Sequence, residues 1–546
     1  MSARTQKIGL IGATSYVINS IVGCGIFLTP SIIYRRVNSV GLSLVIWLVS
    51  ALISIVGSFC FIELGTAIRL SGGNYAYMCF MRWYSMAFSF MLISCFLSGP
   101  ISLGIITDTF GEYAIKGFGV DLDQNSLYWT KHFLGFSLIF LLIFMNFFSL
   151  KHFVQKFSIL SSIIKFSTTM VIILVGFYFL IFERDIKNFV DPFAHSNWDL
   201  GSVLTALFSG LYTYDGWDVL NMGIEEIENP RRNFPLAMLI GLVGITFVYL
   251  AINVAYFVIL DGPTFSKSSA VAFDFANVAF PSLKWTIPLL VCLLIIGSIN
   301  SNLFSSSRYI QAVSRSGMLP SCLSCINPTC ESPRCALFIY AFFAIITSFL
   351  GSAEELINYI SYLGWAQRAI VMGALIWIKL KDWEVHPETI RMPIVVPIFF
   401  CVISVALVVA QFISDFGTSM IGALVFGLGI IVFILFMTEN ALPRFDAYRK
   451  FIIFMNDKTT RWVQIVFNVM PEFCELGDRN VAIGRERDDS DASVDEAVAN
   501  STNRQEHSNY GTLQIRPASS QGNESSSSLL ERRPTVSTGI SETSSE

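Results

Sequence analysis

The chain has 546 residues, of which 53% are hydrophobic and 14% charged, and its formal net charge is −4. Soluble domains carry about 25% charged residues, so this chain has too few to cover a water-exposed surface. The composition excludes an ordinary soluble protein and predicts a polytopic protein whose main partner is the lipid bilayer. The small net charge gives no indication of a nucleic-acid partner.

Apolar segments of about 20 residues, the length needed to cross a bilayer, recur along the chain. They cover residues 10–34, 41–65, 84–107, 132–150, 159–182, 201–222, 236–260, 285–309, 335–350, 357–378, 394–414 and 417–438. This pattern predicts an all-α polytopic membrane protein with about twelve transmembrane helices in a core over residues 1–443. Residues 444–483 are predicted to form a cytosolic juxtamembrane amphipathic segment, and 484–546 a disordered cytosolic tail.

Basic residues indicate how these segments are oriented. They concentrate in the loops after even-numbered segments, namely Arg69, Arg82, Lys151, Lys156, Arg231, Arg232, Arg315, Arg334, Lys379, Lys381 and Arg391. The positive-inside rule therefore places these loops, and with them both termini, in the cytoplasm. Arg35 and Arg36, after the first segment, are the exception.

The first apolar segment is interrupted by Gly23-Cys24-Gly25. Each glycine costs roughly 1 kcal/mol against alanine inside a helix. In hydrocarbon, the backbone groups freed by a break need partners, so a break lines a cavity or is buried in protein. The second half of a broken helix has a positive N-terminus. Val22 to Ile26 are therefore a candidate cradle for an anion such as a carboxylate, and close helix packing through small residues is the alternative. The substrate-binding residues predicted at this break are Ile21, Gly23, Cys24, Gly25 and Ile26.

The sixth segment is interrupted in the same way by Tyr212, Thr213, Tyr214, Asp215 and Gly216. Secondary transporters built from inverted repeats bind substrate between discontinuous helices at corresponding positions of their two halves. Breaks in segments one and six predict a 5+5 inverted repeat, with broken helices 1 and 6. The repeats would cover residues 8–182 and 201–378, with extra helices at 394–438.

Charged residues inside spans are costly unless they are paired or hydrated. Asp215 and Asp218 lie in the sixth segment. Either an aspartate contacts an ammonium group of the substrate, or Arg368, also inside a span, pairs with one of them. Lys165 lies in the fifth segment. It either snorkels from the helix end, or its ammonium group takes the place of a coupling cation near the broken first helix.

Four of the eleven cysteines cluster in one loop, namely Cys322, Cys325, Cys330 and Cys335. Four thiols suffice for a zinc site. However, the last one lies at the mouth of a helix and prolines interrupt the loop, so reduced cytosolic thiols are expected. No metal and no cofactor are predicted. No intramembrane His, Asp and Glu constellation suits catalysis, so we do not expect an enzyme.

Five motifs carry a resemblance to a known family. They are Ile21-Val-Gly-Cys-Gly-Ile-Phe27, Ser71-Gly-Gly-Asn-Tyr-Ala-Tyr77, Gly210-Leu-Tyr-Thr-Tyr-Asp-Gly-Trp217, Glu225-Glu-Ile-Glu-Asn-Pro230, and Phe304-Ser-Ser-Ser-Arg-Tyr309 leading into Arg315-Ser-Gly-Met-Leu-Pro320. Over roughly residues 8–475 the chain resembles the L-type amino acid transporters, the light chains of heteromeric transporters in the amino acid–polyamine–organocation superfamily.

The resemblance implies sodium-independent transport or exchange of amino acids. It implies that the first-helix glycine motif binds the substrate α-carboxylate through backbone N–H groups. Unwound carbonyls from Tyr212 to Asp215 would bind the α-amino group, with the Tyr212 ring as a lid. Lys165 matches a fifth-helix lysine that replaces a sodium ion in this family. Trp365 matches a tenth-helix aromatic residue near the pocket for the substrate side chain.

Three features depart from the family pattern. Cys24 replaces the usual serine between the glycines, which leaves the backbone role intact. Asp215-Gly216-Trp217-Asp218 replaces Gly-Gly-Trp-Asn, so the resemblance leaves the substrate class open. Residues 111–131 contain no cysteine, so no covalent heavy chain is expected, although a non-covalent partner is compatible with the sequence. The chain resembles members without the heavy-chain cysteine.

These observations together predict a plasma-membrane transporter that works by alternating access. Its expected substrates are neutral amino acids, large or aromatic. Two alternatives stay open. Asp215 and Asp218 would suit cationic amino acids, and the long tail would suit a sensor that binds an amino acid and signals without transporting it.

Overall fold

Helices make up almost the whole of the described chain. The computed structural model describes residues 7–70, 72–120, 122–148, 151–183, 187–328, 332–438 and 441–470. Within these ranges the only extended pairings are two isolated backbone bridges. The α-helices are α1 (Leu10–Ile21), α2 (Gly25–Val37), α3 (Val40–Ala67), α4 (Gly73–Phe80), α5 (Tyr84–Ile93), α6 (Gly99–Phe118), α7 (Gln124–Phe147), α8 (Lys151–Tyr178), α9 (Leu200–Tyr214), α10 (Pro230–Ile259), α11 (Gly262–Lys267), α12 (Val271–Ala279), α13 (Thr286–Arg315), α14 (Arg334–Ser348), α15 (Ala353–Leu380), α16 (Val395–Ser414), α17 (Phe416–Phe436) and α18 (Asp446–Phe467).

Many of these helices are long and apolar enough to cross a bilayer. Among the described residues nine helical stretches meet that condition, and the bent pair α1 and α2 makes a tenth. The prediction of an all-α polytopic membrane protein is confirmed. The sixth and ninth predicted spans correspond to α9 and α14, which have 15 residues each and are shorter than a full crossing. The count of twelve and the inverted repeat therefore stay predictions.

Several helices extend beyond the apolar segments that predicted them. The fourth span was expected at 132–150, but α7 begins at Gln124, where the Asp123 carboxylate caps the helix by accepting the Ser126 N–H at 3.3 Å. The third, expected at 84–107, continues through a π-helical turn at Ser94–Ser98 to the end of α6. These boundaries were wrong because capping groups, rather than hydrophobicity, end a helix.

Ion pairs form at both ends of the bundle. The end that carries Lys7, Arg69 and Glu388, called here the N-terminal face, contains an Arg69–Glu388 pair at 2.7 Å. At the opposite end the Arg36 Nε atom donates to Glu354 at 2.6 Å. The exceptional pair of arginines after the first segment thus lies beside an acidic residue, which offsets its positive charge.

A second ion pair on the N-terminal face is buried. The Lys379 ammonium group pairs with Glu63, whose side chain is only 3% exposed. Lys379 also donates to the Met392 carbonyl at 2.7 Å, and the Met392 N–H donates to the second Glu63 oxygen at 3.2 Å. This network attaches the segment after α15 to the end of α3.

The buried network predicts that a lysine variant and an arginine variant differ in stability. Lys379→Met leaves the Glu63 carboxylate buried without a counter-charge, so unfolding should become easier by about 3–5 kcal/mol. Arg69→Met removes a more exposed pair, so it should destabilise the protein much less. Thermal melting of detergent-purified protein, followed by fluorescence size-exclusion chromatography, compares the two. Equal melting temperatures for both variants would contradict this account.

Candidate functional site

The first break separates α1 from α2. Helix α1 ends at Ile21, α2 begins at Gly25, and the two axes are bent by 46°. The Val22 N–H closes the first helix by donating to the Ile18 carbonyl at 3.0 Å. The predicted break therefore falls within the glycine motif.

Free backbone donors gather at the start of α2. The first hydrogen bond after the break runs from the Phe27 N–H to the Cys24 carbonyl at 3.0 Å. Within the described structure, the N–H groups of Gly23, Cys24 and Ile26 donate to no backbone carbonyl. The first amides of a helix have no intrahelical partner, and together with the helix dipole they favour an anion. This terminus can cradle a carboxylate.

The second break begins later than expected. Tyr212 and Thr213 lie inside α9, which ends at Tyr214, and the backbone becomes extended at Asp215. The carbonyls from Tyr212 to Tyr214 therefore belong to the last turn of α9 rather than to unwound chain, and their role in binding an α-amino group stays a prediction. The carbonyls of this last helical turn still lack the full set of intrahelical partners, so they form a negative end.

The two breaks touch each other. The Thr29 and Thr213 hydroxyl oxygens are 2.7 Å apart, so one donates to the other. The accepting hydroxyl then donates within its own helix, Thr29 to the Gly25 carbonyl at 3.0 Å or Thr213 to the Ser209 carbonyl at 2.9 Å. A Cβ atom on Gly25 would lie 3.0 Å from a Thr213 methyl group. Gly216 has φ +96°, and a Cβ there would lie 2.8 Å from the Ser20 hydroxyl. The positive start of α2 is therefore held beside the negative end of α9.

Tyr249 of α10 joins the two breaks, and sequence reasoning missed it. Its hydroxyl oxygen lies 3.0 Å from the Ile21 carbonyl and 3.3 Å from the Thr213 carbonyl, and its single proton donates to one of them at a time. Its ring packs against Trp47 and Tyr214, with centroids 5.6 and 5.1 Å away. The Tyr214 side chain, predicted at the site, is therefore buried in this aromatic cluster.

Arg368 is the centre of the charged part of the site. Its guanidinium pairs with Asp215, and its Nη2 atom is 3.9 Å from an Asp218 oxygen. It also lies over the rings of Trp217 and Trp365, 5.6 and 5.1 Å from their centroids. The structure thus brings together both aspartates, the arginine and the predicted aromatic of the tenth span.

Lys165 lies at the end of α1. Its side chain is 5% exposed, and Nζ is 3.1 Å from the Asn19 side-chain oxygen and 3.4 Å from the Asn19 carbonyl. It makes no ion pair with any residue that the structure describes. Since Asn19 belongs to the last turn of α1, the ammonium group lies where the helix dipole is negative.

The Tyr212 ring is half-buried and contacts an apolar cluster. The cluster draws on α2, α6 and α15, and its buried members are Ile32, Ile101, Ile105, Leu356 and Ile357. Tyr212 thus packs against this cluster, called here the apolar wall. Cys24, 2% exposed, is packed into the core.

In the cysteine loop Cys322 and Cys335 are free thiols, and Cys330 lies outside the described residues. A hydrogen bond from the Cys335 thiol lowers the pKa of the Cys322 thiol below its usual range. No group of three or more His, Cys, Asp or Glu suited to a metal occurs in the described ranges. The absence of a metal stays a prediction.

Comparisons with known proteins cover most of the chain. A family model described as "Amino acid permease" matches residues 8–455. "Amino acid transporter protein 6" of Caenorhabditis elegans is 49% identical over 491 residues, which are 90% of this chain and 94% of that protein. The human "b(0,+)-type amino acid transporter 1" is 31% identical over 411 residues, 75% and 83% of the two chains. The human "Cystine/glutamate transporter" is 29% identical over 467 residues, 86% and 91%.

A double-mutant cycle tests the Arg368–Asp215 pair. Each of Asp215→Asn and Arg368→Gln should lower the melting temperature, and the double variant should lose less than the sum, with a coupling of about 0.5–3 kcal/mol. Asp218→Asn is the matched control, because its oxygen lies 3.9 Å from the guanidinium and should couple more weakly. Strictly additive losses for Asp215 and Arg368 would show that they do not act as a pair.

Proposed function

Because the chain belongs to the amino acid permease family, we propose that it transports or exchanges L-amino acids across a membrane by alternating access. The observation that carries the proposal is the contact between two oppositely polarised helix ends, joined by the 2.7 Å approach of Thr29 and Thr213. A free amino acid is a zwitterion, so it needs an anion site and a cation site a few ångströms apart. Nothing in this chemistry requires a covalent step, and we propose transport rather than catalysis.

In the proposed binding mode, called here the backbone clamp, each break binds one charged group of the amino acid. The α-carboxylate accepts hydrogen bonds from the amides of Gly23 to Ile26 at the positive end of α2. The α-ammonium group donates to the carbonyls of the last turn of α9. Cys24 contributes its backbone N–H, since its thiol is packed into the core.

We propose that transport does not require sodium. The Lys165 ammonium group is a buried cation beside the last turn of α1, where its donors reach both oxygens of Asn19. A fixed cation at this position supplies the positive charge that a coupling ion would otherwise bring. The Lys165 ammonium group would therefore occupy the place that a sodium ion would need at the end of α1.

The charge balance and the apolar wall favour neutral substrates, large or aromatic. Arg368 neutralises Asp215, so that carboxylate is not available to a substrate cation. The wall behind Tyr212 is built from isoleucines and leucine, which suit an apolar side chain. A cationic substrate is the second candidate, because Asp218 lies 3.9 Å from the guanidinium and is the more weakly paired carboxylate.

We further propose that the N-terminal face is cytoplasmic and that the protein lies in the plasma membrane. Lys7, Arg69 and Arg231 gather on this face, as the positive-inside rule requires of a cytoplasmic side. Residues 111–131 contain no cysteine, so a heavy chain, if one associates, would be held without a disulfide.

An uptake panel tests the substrate class and the ion dependence together. Oocytes expressing the chain should accumulate labelled leucine and phenylalanine, and replacing sodium with choline should leave the rates unchanged. Arginine uptake should be weak, because Arg368 repels a second guanidinium near Asp215. Uptake of arginine alone would favour the cationic alternative, and loss of leucine uptake without sodium would refute the role given to Lys165.

Two neighbouring variants test the backbone clamp. Gly25→Val should abolish leucine uptake, because its side chain would collide with Thr213 and separate the two breaks. Cys24→Ser keeps both the amide and the size, so its uptake should stay within about threefold of the wild type. Surface biotinylation controls for delivery to the membrane. A normal rate in Gly25→Val would contradict the clamp.

A further inference from the structure

A strongly basic cavity opens on the N-terminal face, apart from the paired breaks. Its volume is about 740 Å³. Four cationic side chains line it, Lys7, Arg69, Arg231 and Arg232, together with one carboxylate, Glu388. The positive-inside rule explains basic residues on this side, but it does not explain why four of them converge on one concavity.

Most of this positive charge is not neutralised by the protein. Arg69 uses Nη2 for Glu388 at 2.7 Å, but its Nε–H is buried without a hydrogen-bond acceptor. Hydrogen bonding to Arg69 lowers the pKa of Glu388, so this carboxylate stays charged and committed to Arg69. Lys7, Arg231 and Arg232 make no ion pair within the residues that the structure describes. The cavity is therefore complementary to an anion with more than one charge.

The backbone adds to this complementarity. Helix α10, 30 residues long, begins at Pro230 on the edge of the cavity, and no side chain caps it. Asn229 before it adopts φ 46°, and the first hydrogen bond of the turn runs from the Arg232 N–H to the Asn229 carbonyl at 2.9 Å. The positive end of a long helix thus meets three nearby guanidinium groups.

An apolar stripe leads from the cavity along α10. Leu236 lines the cavity, and Ile240, Val243 and Phe247 follow at three- or four-residue spacing on the same helix. Their side chains are 38%, 52%, 40% and 70% exposed. Residues with this spacing share one face of a helix. A ligand with both a polyanionic head and an acyl chain would contact the cavity and the stripe together.

We propose that the cavity binds the phosphorylated headgroup of an anionic phospholipid, whose acyl chain lies along the α10 stripe. Clusters of four or more Lys and Arg side chains directly beside a membrane span attract such lipids from the inner leaflet. Phosphate monoester oxygens suit the forked donors of Arg69, Arg231 and Arg232. The leaflet assignment rests on the proposed orientation, whereas the binding site itself does not depend on transport.

A lipid bound in the cavity would also affect how α1 is held relative to α10. The segment before α1 is tied to the loop before α10, because the Ile8 N–H donates to the Glu226 carbonyl at 2.8 Å and the Glu228 N–H donates to Ile8 at 2.9 Å. A headgroup that bridges Lys7 and Arg231 would strengthen this link. The bound lipid would therefore restrain the first half of the broken helix relative to α10.

The binding test uses the full chain in nanodiscs of phosphatidylcholine with or without about 5 mol% phosphatidylinositol 4,5-bisphosphate. Native mass spectrometry measures how much lipid is bound, and the melting temperature measures how far the bound lipid stabilises the protein. The wild type should bind it and melt at a higher temperature. Arg231→Gln/Arg232→Gln should weaken binding about tenfold or more, since two phosphate contacts are lost. Lys381→Gln/Arg391→Gln removes the same charge outside the cavity and should bind as the wild type does.

Two results would overturn the proposal. Equal weakening in both double variants would mean that the attraction is non-specific charge. Binding of inositol 1,4,5-trisphosphate or inorganic phosphate as tight as that of the lipid would mean that the stripe contributes nothing and the ligand is soluble. Melting of each variant without lipid shows that it is folded. Because the readout is binding, it is independent of whether amino acids are transported.

Discussion

Within hydrocarbon, every backbone N–H and C=O group needs a hydrogen-bond partner, because each group without one costs several kcal/mol. The rest of the structure follows from this constraint. Two helices are nevertheless interrupted, and the freed groups are satisfied in different ways. Tyr249 donates to the Ile21 carbonyl or to the Thr213 carbonyl, one at a time, and Thr29 can donate to the Gly25 carbonyl. The amides at the start of α2 remain without backbone partners, so they are the groups that a substrate carboxylate would satisfy.

The surroundings of the breaks hold the two helix ends in contact. Gly25 and Gly216 provide the space, because a methyl group at either would meet Thr213 or Ser20. Aromatic packing around Trp47 and Tyr249 fixes α10 against both breaks. Buried charges are compensated locally, as an ion pair at Arg368 and as hydrogen bonds to Asn19 at Lys165. Each of these contacts joins helices that are far apart in sequence, so a movement of one break would displace the helix that packs against it.

The sequence allowed the breaks and the family to be predicted, because glycines and carboxylates inside apolar segments are visible without coordinates. The resemblance is confirmed at the level of the amino acid permease family, whose model matches residues 8–455. The start of the second break was misplaced, since a threonine such as Thr213 fits a helix or a break equally well. The role of Tyr249 was missed because one tyrosine in an apolar segment does not show which carbonyl it meets. The residues beyond 470, with the predicted tail, lie outside the described structure.

In the proposed function the two helix ends recognise the two charges of a free amino acid. The test is competition against labelled leucine uptake by three compounds: unlabelled leucine and its two analogues, leucine methyl ester and 4-methylpentanoate. The ester lacks the carboxylate and the acid lacks the ammonium group, while both keep the side chain. The account predicts that only leucine competes, because each analogue leaves one helix end unsatisfied. Equal competition by either analogue would contradict the paired clamp.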